Sequence, residues 1–284
     1  MKTPQTLANI PALTLRTGAT IPQLGIGTYL VAPEDAQRVV EEAAEMGYRH
    51  FDTAQMYHNE KQVGDALAAT GMAREDYFLT TKLDNHNHAR DDARRSFDQS
   101  LDDLGVDYVD LFLIHWPARG EDEPTSLETW KALEEFHAEG RARHIGLSNF
   151  FPHHMREILA HGQVLPHVTQ IESHPYLPMG EAHDFNDRLG IITQAWSPLA
   201  RGRVTTDPLL TEIGTQYGKT AAQVALRWAI ERGDVVFPKS LRRERMAENG
   251  ALFDFQLSDS DRARISSLDA GEDGRCGSHP DRRK

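Results

Sequence analysis

The chain has 284 residues, a formal net charge of −12 and one cysteine, Cys276. That length fits two ordinary domains or one large closed α/β domain, and the acidity argues against a nucleic-acid partner, whose phosphates call for a basic face. A lone cysteine rules out an internal disulfide and fits a cytoplasmic location; no apolar run reaches the ~20 residues of a membrane span, and Met1-Lys2-Thr3-Pro4-Gln5 lacks the apolar core of a secretory signal.

Residues 11–24 read as a β-hairpin, with 13–16 and 21–24 flanking a turn at Gly18. A short strand follows at 25–29, and Pro33-Glu34-Asp35 opens a helix with acids in its first turn. Its apolar positions Ala36, Val39, Val40, Ala43 and Ala44 keep helical spacing up to Gly47. The unit then repeats. Further strands are predicted at 48–52, 77–82, 108–115, 143–148, 168–171, 190–196 and 235–237. Helices are predicted at 60–69, 91–104, 126–138, 153–160, 180–188, 220–232 and 242–249, with a loop between residues 197 and 219. Residues 258–269 read as one extra helix, and 270–284 as an aperiodic tail.

Eight strands thus alternate with eight helices, counted after the hairpin. Strands such as Val109-Asp110-Leu111-Phe112-Leu113-Ile114 are nearly continuous apolar runs, as suits parallel strands buried on both faces. The alternation predicts right-handed βαβ units, and eight of them make a (β/α)8 TIM barrel of roughly 250 residues. A doubly wound sheet is the competing fold. It calls for a Gly-x-Gly-x-x-Gly turn after the first strand, where this chain has only Gly25-Ile26-Gly27. The chain shows no linker or low-complexity break, so 1–284 reads as a single barrel domain with the hairpin closing the bottom.

Chemistry in such barrels sits at the C-terminal ends of the strands. Asp52 ends strand two and Tyr57 lies in the loop behind it; Lys82 ends strand three and His115 ends strand four. The bland alternative is an Asp52–Lys82 salt bridge with two bystanders. Together the four can do more. A tyrosine with its ordinary pKa near ~10 is a protonated but sluggish acid, and a neighbouring ammonium favours the phenolate. Lys82 is expected to supply that ammonium, Asp52 to keep it charged, and His115 to position a carbonyl oxygen. Tyr57 then protonates that oxygen as a hydride arrives at carbon.

Three stretches carry a resemblance. Gly47-Tyr48-Arg49-His50-Phe51-Asp52-Thr53-Ala54-Gln55-Met56-Tyr57 with Asn59-Glu60 resembles the first signature of the aldo-keto reductases. Arg143-His144-Ile145-Gly146-Leu147-Ser148-Asn149-Phe150 resembles the middle signature, and Phe237-Pro238-Lys239-Ser240 with Arg245, Glu248 and Asn249 the third. The resemblance covers essentially the whole chain. It implies the barrel fold, the tetrad Asp52, Tyr57, Lys82 and His115, and NADPH as the hydride donor.

On the cofactor side, Ser148, Asn149 and Gln170 are neutral donors and acceptors at strand ends, able to grip a carboxamide. The resemblance assigns them to the nicotinamide amide and Trp196 to stacking on its ring, with Ser197 and Leu199 beside it. Lys239, Ser240, Arg242 and Arg245 open the last helix, a place suited to phosphate. The resemblance reads them as the 2′-phosphate pocket, with Glu248 and Asn249 near the adenine and Arg243 on the solvent side.

Tyr29, Met56, Trp116 and Phe150 follow strand ends and are candidate walls of the substrate pocket. The stretch Gly274-Arg275-Cys276-Gly277-Ser278-His279-Pro280-Asp281 looks like the tail that curls over the mouth in 2,5-diketo-D-gluconate reductases. Asp84 departs from that branch, whose members usually carry a large apolar or aromatic residue there. A carboxylate at that point either repels acidic substrates or faces water, so small aldehydes and dicarbonyls such as methylglyoxal stand beside keto sugars. His86-Asn87-His88 and His153-His154 lack the helical i, i+4 spacing of a zinc pair, and no metal is expected. Relatives in this branch are mostly monomers, which implies a monomer without membrane or nucleic-acid partners. Two other readings stay open: an NADP(H)-binding redox-sensing or interaction module with little turnover, and a sugar-phosphate isomerase, which gives Tyr57 and Lys82 no role.

Overall fold

The computed structural model describes residues 7, 10–118 and 124–282. A two-stranded hairpin, β1 (Ala12–Thr14) and β2 (Thr20–Pro22), precedes eight parallel strands. These are β3 (Ile26–Gly27), β4 (His50–Asp52), β5 (Phe78–Leu83), β6 (Val109–Ile114), β7 (Ala142–Ser148), β8 (Val168–Glu172), β9 (Ile192–Trp196) and β10 (Val235–Val236). Each pairs with the next, from β3 through to β10. A parallel bridge between Leu24 and Val236 closes the ring, fastened by hydrogen bonds of 3.0 Å from Gly25 N–H to Val236 O and from Val236 N–H to Gln23 O. The result is the (β/α)8 barrel expected from the alternation.

Local chemistry sets the helix ends. Helix α1 (Pro33–Met46) starts on a proline, which has no N–H to leave without an acceptor, and stops at Gly47, whose φ of 102° is left-handed. Helix α2 (Glu60–Ala69) and α3 (Arg90–Leu104) follow β4 and β5. Helices α4 (Ser126–Ala138) and α8 (Ala221–Glu231) each start with a capping box, Thr125 with Glu128 and Thr220 with Gln223. The ring is completed by α5 (Arg156–His161), α6 (Gly180–Arg188) and α9 (Arg243–Gly250), and α10 (Asp259–Ser266) lies beyond it.

Three expectations need correction. The supposed loop at 197–219 holds a 3-10 turn, Ala200–Thr206, and a helix, α7 (Pro208–Tyr217). Asp207 caps that helix by accepting from Leu210 N–H, and Leu210 and Ile213 bury its inner face. The strand expected at 25–29 shrinks to Ile26–Gly27, because the chain turns out through Tyr29 and Leu30, the latter at a φ of 57°. The helix expected at 153–160 starts only at Arg156, after a turn.

Strand alternation then sorts the side chains. In β5, Leu79 and Leu83 face the core under the helices, whereas Phe78 and Lys82 point along the barrel interior. The lower interior is apolar: Leu15 and Ile21 of the hairpin pack against Phe78, Leu111, Leu113, Val168 and Val235. The polar interior residues collect at the opposite end. Among the described residues, no helix is long and apolar enough to cross a membrane.

Candidate active site

Lys82 is fully buried, an expensive position for an ammonium unless several acceptors surround it. It donates to Asp52 Oδ1 at 2.7 Å, to Thr53 O at 2.9 Å and to Tyr57 Oη at 3.3 Å. The last contact is made possible by a 3-10 turn, Gln55–Tyr57, that folds the loop after β4 back over the strand ends. Tyr57 also lies between two rings: His115, edge-on with centroids 5.6 Å apart, and Tyr29 at 5.1 Å. Asp52 Oδ2 accepts from Gln170 Nε2 at 2.8 Å. Adjacent strands thus bring all four expected tetrad residues to one point at the C-terminal end of the barrel.

The electrostatics differ from the expectation that Lys82 pulls the phenol down. Burial pushes the Tyr57 hydroxyl well above the ordinary tyrosine range, and the Asp52 and Tyr29 charges add to it. Burial also pulls the Lys82 ammonium below the ordinary lysine value, against the attraction of Asp52. Desolvation outweighs the single 3.3 Å contact, so the phenol stays protonated across neutral pH.

Two cavities meet at this point. One, of about 400 Å³, is lined by Asp52, Met56, Tyr57, His115, Trp116, Ser148, Asn149, Gln170 and Trp196. The other, of about 620 Å³, runs outward past Leu199, Pro238, Arg245, Glu248 and Asn249. Tyr29, Ser197, Arg201 and Lys239 line both, so the two form one bent channel. The channel carries Lys239 and Arg201 where its two parts join and Arg245 on the outer part, cations with no ion-pair partner among the described residues. Uncompensated cations beside an elongated cleft fit an anionic, extended ligand such as a dinucleotide phosphate. Asn149 and Ser197, at φ of 64° and 49°, hold left-handed backbone at the inner end, the kind of strain that collects at ligand sites.

Asn149 lines the inner cavity and also braces it, whereas several other expected contacts lie outside the lining. Asn149 donates to His115 O at 2.9 Å and accepts from Trp196 Nε1 at 2.8 Å, so it clamps two other wall residues together. Ser240 is bonded to the backbone of Arg242, and neither faces the channel; Arg243 pairs with Glu45 at 2.8 Å. Phe150 is buried beside the His154 ring, outside the lining. Asp84 caps a 3-10 turn at Asn85–Asn87 and bonds His86 Nδ1 at 2.9 Å, and it too is absent from the cavity wall. The tail lies over the mouth as expected, with Gly277 and Ser278 in the wall. Sequence reasoning missed Arg201, whose left-handed turn with Gly202 is not encoded by any motif. Two groups have metal-ligand chemistry, His153, His154 and Asp281, and Glu172, His174 and Cys276. In both, N–H donors already occupy the carboxylate.

Residues 22–270 match the Aldo/keto reductase family. An aldo-keto reductase of Mycolicibacterium smegmatis is 46% identical over 92% of this chain and 94% of its own length. A protein of Salmonella typhimurium named methylglyoxal reductase DkgA is 39% identical over 97% of this chain and 98% of its own. The structure of a Bombyx mori aldo-keto reductase in complex with NADP superposes with a TM-score of 0.86 at 36% identity, over 93% of this chain and 94% of that one. With the barrel, the residues gathered at its mouth and the whole-length likeness in agreement, the chain belongs to the aldo/keto reductase family of oxidoreductases.

Proposed function

We propose that the protein reduces aldehydes and ketones to alcohols with NADPH, with Tyr57 as the proton donor. The observation that carries this reading is the Tyr57 hydroxyl 3.3 Å from the Lys82 ammonium in the wall of a cavity shared with His115 and Trp116. Lys239 and Arg245 are the side chains that would hold the 2′-phosphate, and Ser148, Asn149, Gln170 and Trp196 those that would hold the nicotinamide. When bound, NADPH supplies the hydride with its electron pair. The chain supplies the rest. His115 and Tyr57 converge on the carbonyl oxygen and orient it. The Tyr57 O–H gives its proton to that oxygen as negative charge builds there. Lys82 then faces a phenolate, and Asp52 keeps the lysine protonated in a site that would otherwise neutralise it.

The cavity at the mouth, about 400 Å³ with aromatic and methionine walls, favours small carbonyls and compact keto sugars. Methylglyoxal and 2,5-diketo-D-gluconate are the two substrates to try first, and a likeness to a protein named methylglyoxal reductase supports the former. The test is Tyr57→Phe. Losing the proton donor lowers carbonyl-dependent NADPH consumption by about 10²–10⁴-fold, with NADPH binding retained by fluorescence titration. Turnover close to that of the parent protein would defeat the assignment. NADPH binding by the parent without consumption of any carbonyl would favour a sensing module instead.

A further inference from the structure

Glu172 ends β8 and takes no part in the chemistry above, yet its side chain is fully buried. A buried carboxylate persists only when donors surround it. Here Oε1 accepts from Cys276 N–H at 2.6 Å, from Gly277 N–H at 3.2 Å and from His174 Nε2 at 3.1 Å. Oε2 accepts from Gly277 N–H at 3.0 Å and faces the Arg275 guanidinium at 3.5 Å. Burial alone would raise this carboxyl; the bonds from His174, Cys276 and Gly277 outweigh it and hold it below the ordinary range. Most of these donors belong to one short segment of the C-terminal tail, and two of them are backbone N–H groups.

That segment is also where the tail meets the cavity. Gly277 and Ser278 form part of the wall that includes Tyr57, Trp116 and Trp196. Gly277 lies so close to the Trp196 indole that a Cβ there would overlap it. The outer tail is fastened separately, by Asp281 between His153 and His154.

We propose that Glu172 is the positioning residue that seats the C-terminal strap, residues 275–278, against the catalytic cavity, and so sets the fit of the carbonyl substrate without touching it. The attachment grips main-chain N–H groups and packs a glycine, so it fixes where the strap lies and leaves position 278 free to vary. The substrate half of this inference rests on the reductase reading; the anchoring half does not.

The test uses the full-length chain, with NADPH and methylglyoxal. Glu172→Gln removes the charge and turns an amide towards the same N–H donors. Expected are an increase in KM for methylglyoxal of about tenfold with kcat changed by less than about threefold. Exchange of the 276–277 amides with deuterium should accelerate by about tenfold or more. Gly277→Val lifts the same strap by overlap with Trp196 and should reproduce both effects. Combined with Glu172→Gln it should add little, because both act through one element. Unchanged amide exchange in Glu172→Gln overturns the anchoring. Unchanged KM in Gly277→Val, or full additivity of the two, overturns the link from strap to substrate. If Glu172→Gln does not fold, Gly277→Val alone decides that link. If the parent reduces no carbonyl, the reductase reading fails while the exchange measurement still judges the anchor.

Discussion

Replacing Lys82 with methionine probes the centre of the site. The ammonium is fully buried and satisfies Asp52 at 2.7 Å, so its removal leaves a carboxylate out of water that still accepts from Gln170 but has lost its cation. Breaking a buried pair from one side costs about 3–5 kcal/mol. Replacing both partners removes the uncompensated charge, so Asp52→Asn/Lys82→Met should recover most of that loss, ending within about 1–2 kcal/mol of the parent. Catalysis should not recover in either variant, because Tyr57 has lost the charge that stabilises its phenolate. The assay is a pair of urea titrations followed by tryptophan fluorescence, with carbonyl-dependent NADPH oxidation measured on the same samples. A single variant that loses less than about 1 kcal/mol would show that the carboxylate does not depend on the ammonium. A double variant no more stable than the single one would refute the desolvation argument itself.

Other measurements check other parts of the site. Burial holds the Tyr57 proton to well above the ordinary tyrosine value, so the acid form persists as pH rises. Carbonyl reduction should therefore show no loss of kcat from the phenol below about pH 10, while alcohol oxidation, which needs the phenolate, should climb with pH. A phenol-dependent fall in the reductive kcat near neutrality would contradict this. Neutralising Lys239 and Arg245 should raise KM for NADPH by about 10-fold or more and leave NADH nearly unaffected, in steady-state kinetics with each cofactor; equal changes would remove the phosphate from this pocket. Glu60, bonded by Thr81 at 2.5 Å and Ser100 at 3.0 Å, is pushed by burial from 4.5 up to about 7. The native state holds this proton more tightly than the unfolded chain, so stability from this group is complete below about pH 4.5 and declines up to about pH 7. Glu60→Gln should then raise Tm relative to the parent at pH 8, with a gain of order 3 kcal/mol, and give no gain at pH 4.5.

Much of this was legible in the residues because each strand carries its signal locally. Apolar runs such as 109–114 announce parallel strands, and polar residues at or just past the ends of several of them, Asp52, His115, Ser148 and Glu172, announce the mouth. Lys82 inside an otherwise uncharged strand is the plainest case: only a buried acceptor justifies it. What the sequence hid falls into two kinds. Helix α7 was written in Asp207-Pro208, a cap and a first-turn proline, but this pair also reads as a turn. The roles of Glu172 and of Asp84 depend on partners fixed only by folding: a tail more than 100 residues later in one case, and the neighbouring His86 in the other. The balance at Tyr57 was hidden too, since residue types show the ammonium but not the depth of burial that overrides it.

The hairpin plug has a consequence for proton traffic. Among the described residues, Leu15 and Ile21 stop the lower end with buried apolar side chains packed against them, so the inner site faces the mouth rather than the hairpin end. The imidazole nearest that end, His50, bonds Pro22 O and Thr80, and burial drives it down to about 3, so it carries no spare proton at neutral pH. On the proposed reaction, a Tyr57 phenol that has given up its hydrogen would be reloaded from the same opening through which the alcohol departs. Recharging the acid and emptying the pocket become successive uses of one door.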